Sequence, residues 1–320
     1  MSGKIKIVTI GGGSGHFVLL SGLKSLENID ISAVVAMSDS GGSSGVLRDK
    51  LGVLPPGDIL KCLLALSPYE NARDILQERI ENGPLKGHNA GNFLLSAFSN
   101  YSGNFPQGVQ ALGRILKIKG QVLPVTTDRC TLVAELDDGS RVFSEAAIDV
   151  PRGQNRAKIK DVYLVPHHGD KINVYSPVLK AIKQADYLLL GPGDLFTSII
   201  PNLLVPGVVD AIQSCSAKLL FIVNIMTKYG ETDTFKAMDF VSRLENVLGR
   251  QLDIVLINNA RPPENLLANY QTEMAYWVDT PEAPDDFLPR RVVLADLLDV
   301  GQVLRHSPEK IRMVLEEIFF

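Results

Sequence analysis

Ile5-Lys6-Ile7-Val8-Thr9-Ile10 runs straight into Gly11-Gly12-Gly13-Ser14-Gly15, and this junction decides the fold. The first six residues are mostly apolar and β-branched, the composition of a buried parallel strand. Glycines then let backbone N–H groups approach a ligand with no Cβ in the way. Beyond them Leu19, Leu23 and Leu26 fall at helical spacing. A helix starting here aims its unpaired N–H groups and the positive end of its dipole at one point, a geometry that suits phosphate. Residues 31–36 form a second strand-like run, which ends in Asp39-Ser40-Gly41-Gly42-Ser43-Ser44-Gly45, so the chain opens as a βαβ unit.

The same alternation resumes further along. Residues 186–190 read as a strand ending in Gly191-Pro192-Gly193, 218–224 as another, 234–248 as a helix stopped by Gly249, and 252–257 and 291–295 as further strands. A last helix is capped by Ser307 with Pro308 in its first turn, and Ile311, Val314, Leu315 and Ile318 form its apolar face. Between them, short strand-like runs flank Asp137-Asp138-Gly139, a hairpin turn signal. The expected fold is therefore α/β: a Rossmann-like, doubly wound, mostly parallel sheet in one domain over 1–320, with a small antiparallel insertion at about 121–165.

A net charge of -4 with no basic run disfavours a nucleic-acid surface. Cys62, Cys130 and Cys215 are scattered without a CxxC pair, as reduced thiols in a cytoplasmic protein would be. No stretch of about 18 apolar residues suggests a membrane span.

Ligands of such sheets bind beyond the carboxyl ends of the strands. There the sequence gathers Gly12, Gly13 and Ser14; Asp39, Gly41, Gly42 and Ser43; Gly193, Thr197, Ser198 and Asn202; and Asn224 with Thr227. Asp58, in Leu54-Pro55-Pro56-Gly57-Asp58, either faces this crevice or caps the helix that follows. His88, Asn89 and Asn92 sit in a glycine-bounded loop that either touches ligand or pins itself, and Tyr270 and Arg305 offer a ring for a base and a charge for a phosphate. Two other readings fall short. The first glycine loop has His16 where a dinucleotide fingerprint needs glycine. Gly41-Gly42-Ser43-Ser44-Gly45 matches a hydrolase elbow, with His306 late enough to serve Ser43, yet Asp39 and Ser40 already lengthen the turn.

In order and spacing, these loops, together with Gly87-His88-Asn89-Ala90-Gly91-Asn92, Gly191-Pro192-Gly193-Asp194-Leu195-Phe196-Thr197-Ser198, Asn224-Ile225-Met226-Thr227 and Gly230-Glu231-Thr232, resemble the YvcK-type gluconeogenesis factor family, relatives of 2-phospho-L-lactate transferase (CofD). The resemblance spans nearly the whole chain. It implies a non-enzymatic regulator that binds a UDP-sugar such as UDP-N-acetylglucosamine, links carbon metabolism to cell-wall synthesis and cell shape, and works as a homodimer alongside cell-wall synthesis proteins. The transferase relatives imply the alternative, Mg²⁺-dependent transfer of a phospholactyl or related group with Asp39 as the catalytic carboxylate. Two departures bear on that choice: a paired acid is expected where Asp39-Ser40 stands, and an arginine near Lys61.

Overall fold

The computed structural model describes residues 3–40, 54–82, 86–151, 156–280, 284–301 and 303–320. Strand β1 (Ile5–Gly11) leads into α1 (Gly13–Leu23) and β2 (Ile29–Val35). Helices α2 (Gly57–Leu66), α3 (Ala72–Gln77), α4 (Ala90–Tyr101) and α5 (Phe105–Ile115) precede β3 (Gln121–Pro124). Then come β4 (Cys130–Leu136), β5 (Arg141–Phe143), α6 (Glu145–Asp149), β6 (Ile159–Pro166), α7 (Ser176–Gln184) and β7 (Tyr187–Leu190). A π-helical turn, Leu195–Ile199, opens into α8 (Ile200–Leu203), followed by α9 (Val208–Ser214), β8 (Lys218–Ile222), α10 (Ala237–Leu248), β9 (Ile254–Asn258) and α11 (Glu264–Thr272). The chain closes with β10 (Arg291–Ala295), β11 (Leu298–Val300), β12 (Leu304–His306) and α12 (Pro308–Phe319).

Seven strands form one sheet in the order β10-β9-β8-β7-β1-β2-β3, and every adjacent pair is parallel. The order runs outward in both directions from β1 and β7, so the topological switch point lies between these two strands. Their apolar residues explain their place at the centre: Ile7, Val8, Ile10, Leu188, Leu189 and Leu190 are all buried, as strands covered on both faces demand. The antiparallel expectation holds for β4, β5 and β6, with the hairpin turn where Asp137-Asp138-Gly139 placed it. Its start is corrected. Residues 121–124 are not part of it but the outer parallel strand β3, because Val122 and Leu123 bury alongside Val34 and Val35 of β2.

Most helix ends follow their sequence signals. Gly249 stops α10 at φ 57°, and Ser307 caps α12 by accepting the Lys310 N–H. The cap expected from Asp58 does not form. Pro56 occupies that position with no side-chain cap, leaving the Asp58 carboxylate for other partners.

Candidate functional site

A cavity of about 160 Å³ opens at the carboxyl ends of β1 and β7, and Ser14, Gly193, Asn224, Tyr270, Arg305 and His306 are among its lining residues. Glycine is required around it for two separate reasons. Gly13 has φ +66°, a left-handed conformation that strains any side chain, and a Cβ on Gly15 would lie 2.4 Å from the Pro192 carbonyl oxygen. The two glycine loops thus touch through bare backbone. No side chain caps the start of α1, so its first amides point outward unclaimed by a cap.

On one wall of the crevice, Asn224 Oδ1 accepts the Gly193 N–H at 3.2 Å and holds the second loop. The Tyr270 hydroxyl accepts the Leu304 N–H at 3.0 Å, tying α11 to β12 while the ring lines the cavity. Buried His306 sits 3.2 Å from the Val223 carbonyl through Nε2. A carbonyl only accepts, so this nitrogen carries the proton, and burial lowers the ring's pKa to about 4. That fixes His306 as a neutral strut, not the base of a serine elbow.

The other wall is acidic. Asp58 bonds Lys61 Nζ at 2.9 Å, and a Cβ on Gly12 would meet Asp58 Oδ2 at 2.8 Å, so this carboxylate abuts the first glycine loop. Glu145 of α6 accepts the Ser40 N–H at 3.3 Å, while Ser40 Oγ accepts the Ala146 N–H at 3.0 Å. Burial, then the nearby charges of Asp39 and Asp149, push the Glu145 carboxyl up to about 8. The insertion thus brings a carboxyl group near enough to Asp39 for the two charges to oppose each other.

Next to this pair, Asp149, Asp194 and Glu231 each bring an oxygen within 4.8 Å of the others. Lys228 Nζ bonds all three, at 2.7 Å to Asp194 and 3.2 Å to Glu231, with Asp149 closer still. Burial opposes the ammonium charge, but three carboxylates hold its pKa well above the usual lysine range. With one cation for three acids, the surplus proton falls on the most buried: burial, then repulsion by Asp194, raises Glu231 to about 8. Lys228 already fills the position a metal would take.

Beneath the first loop, His16 bonds Thr9 Oγ1 at 2.7 Å and contacts Cys62 Sγ at 3.6 Å. Burial lowers the His16 pKa to about 4 and raises that of Cys62, so the two are neutral packing partners and not a nucleophile with its base.

Several residues expected at the ligand also brace the crevice. Fully buried Asn202 donates through Nδ2 to the Gly11 carbonyl at 3.2 Å and the Ser198 carbonyl at 2.9 Å. Buried Thr197 donates to Glu231 at 3.2 Å, and Thr227 is bonded in both directions to Tyr276. Asn89 caps α4 by accepting the Asn92 N–H at 2.8 Å, and His88 and Asn92 are both buried. Ser198 is half-buried beside Gly12 and Gly13. Gly41, Gly42 and Ser43 lie outside the described residues. Glu145, Asp149 and Lys228 escape sequence reading, since a carboxylate on an exposed-looking insertion gives no sign that it folds back. Glu231 had a signal: a lone acid within Gly-Glu-Thr shortly after a buried strand.

Residues 7–298 match the family described as 2-phospho-L-lactate transferase CofD. A protein of Thermotoga maritima is 39% identical over 98% of this chain and 99% of its own. The "Gluconeogenesis factor" of Bacillus subtilis is 37% identical over 99% of both. A crystal structure from Bacillus halodurans, described as a UPF0052 family member, superposes with a TM-score of 0.91 at 35% identity, covering 98% of this chain and 100% of that one.

Proposed function

This chain belongs to the 2-phospho-L-lactate transferase CofD family, and from that premise we propose that its crevice binds a nucleoside diphosphate sugar of the UDP-N-acetylglucosamine type. The protein then acts as a cytoplasmic regulator linking carbon metabolism to cell-wall synthesis and cell shape, in keeping with its likeness to the gluconeogenesis factors. The observation that carries this reading is the cavity at the switch point, which joins uncapped α1 amides to Arg305 and Tyr270. The amides and the guanidinium suit a diphosphate, and the Tyr270 ring suits a base. Calorimetry tests it: UDP-N-acetylglucosamine binds at least about 100-fold more tightly than N-acetylglucosamine, whose lack of charge forfeits the amides and Arg305. Equal affinities overturn the proposal.

The position of Asp39 near the Ser40–Glu145 contact favours a second reading, group transfer as in the family's transferases. A Mg²⁺ held by Asp39, with water completing its shell, would supply charge stabilisation to a transferred phosphate-linked group. Under the regulatory reading, Asp39→Asn weakens nucleotide-sugar binding by roughly 1–3 kcal/mol and removes no turnover. Under the transferase reading, wild-type product forms only with Mg²⁺ from the relatives' donor and acceptor, and Asp39→Asn abolishes it while nucleotide affinity largely persists.

A further inference from the structure

Parallel sheets of this kind are covered on both faces, and their strands carry apolar residues for that reason. At the amino ends of β1, β2 and β3 one face departs from this rule. Asp30 and Ser32, two residues apart on β2, share a face, and the register sets Lys6 of β1 beside Asp30 and Gln121 of β3 beside Ser32. Helix α7 touches both β1 and β3 yet does not seal the space over these four side chains. Its Val178 and Ile182 are fully buried, while Lys180 and Gln184 on its flank form the wall of a groove of about 570 Å³. That volume falls in the range of small-molecule sites, about 300–1,000 Å³. The groove lies at the opposite end of the strands from the crevice.

We propose that this groove binds a phosphorylated monosaccharide, as a second ligand site independent of the crevice. Three observations select that class. Lys6 on the floor and Lys180 on the wall bring two ammonium groups to one groove, and among the described residues no ion pair engages either, so both are available to a phosphate. Ser32 is only 8% exposed; its Oγ accepts Gln121 Nε2 at 2.9 Å, and no described group accepts its hydroxyl proton. A sugar hydroxyl satisfies that buried donor, and Asp30 and Gln184 offer acceptors for the other hydroxyls of the ring. No aromatic side chain lines the groove, which disfavours a nucleotide, whose base needs a ring to stack on.

Calorimetry on the full chain tests this with glucose 6-phosphate, fructose 6-phosphate and ribose 5-phosphate, set against glucose and inorganic phosphate. At least one of the three phosphosugars binds, about 100-fold or more tightly than glucose and about 10-fold more tightly than phosphate. Lys6→Met and Lys180→Met each weaken that binding by about 10-fold or more, with unchanged circular dichroism. Ser32→Ala weakens the phosphosugar but not phosphate. Lys183→Met, exposed on α7 outside the groove, changes nothing. Arg305→Ala leaves phosphosugar binding intact and Lys180→Met leaves the affinity for UDP-N-acetylglucosamine intact, so groove and crevice succeed or fail separately. Binding by none of the three phosphosugars, phosphate bound as tightly as they are, or phosphosugar binding that survives both lysine variants or disappears with Arg305→Ala overturns the proposal.

Discussion

The two walls of the crevice are built on opposite plans. The acidic wall draws Asp39, Asp58, Glu145, Asp149, Asp194 and Glu231 from distant parts of the chain; Lys61 answers Asp58, and Lys228 answers Asp149, Asp194 and Glu231. The facing wall, with Asn224, Tyr270 and Arg305, spends little of its polarity internally, and among the described residues no ion pair holds Arg305. A group whose partners are all internal supports shape, whereas a group with unspent charge is ready for a ligand. The comparison assigns stability to the Lys228 cluster and recognition to the facing wall.

Removing the shared cation should break the first assignment most sharply. Lys228→Met leaves three carboxylates without their common partner and is expected to lower unfolding free energy by about 3 kcal/mol, read by chemical denaturation. An unchanged midpoint would mean that the cluster contributes nothing. On the other wall, Arg305→Ala is expected to weaken UDP-N-acetylglucosamine binding by about 10- to 100-fold while leaving the melting temperature in place. A variant that melts early but binds normally would reverse the assignment.

A smaller change separates ring from hydroxyl. Tyr270→Phe removes the acceptor of the Leu304 N–H and should cost about 1 kcal/mol of stability, yet ligand affinity persists because the ring face remains. Glu145→Gln is read in how stability changes with pH. With its pKa raised from 4.5 to about 8, the native Glu145 keeps a proton that the unfolded chain has released, so its contribution is full below pH 4.5 and lost as pH rises through 8. Denaturation midpoints of the wild type therefore decline over that window, and those of Glu145→Gln decline less. Parallel slopes would show that Glu145 ionises normally.

The division between the walls also explains what the sequence made legible. Strand and loop signals are local, so β1, the Gly13 turn, the Asp137-Asp138-Gly139 hairpin and the Ser307 cap could all be read from neighbouring residues. Ser14, Asn224, Tyr270 and Arg305 came together because parallel strands deliver their ends to one edge. The acidic wall was hidden, since Glu145 meets Ser40 across 105 residues and Lys228 meets Asp149 across 79. Asp58 left two readings open, a helix cap or a group at the crevice, and only the fold decides between them by setting its carboxylate against Gly12. The bracing bonds of Asn202 and Thr197 were likewise hidden, because Asn202 reaches Gly11 across 191 residues and Thr197 reaches Glu231 across 34.

The pairing of β1 with β7 has a consequence for the timing of synthesis. Lys6 meets Asp186 across 180 residues, and the crevice is the seam between the strands they begin. At roughly 5–20 residues per second, a ribosome releases the second strand about 10–40 s after the first. Throughout that interval the nascent chain presents its first glycine loop with no facing loop, so a chain cut short before β7 carries the phosphate signature but has no pocket in which to use it.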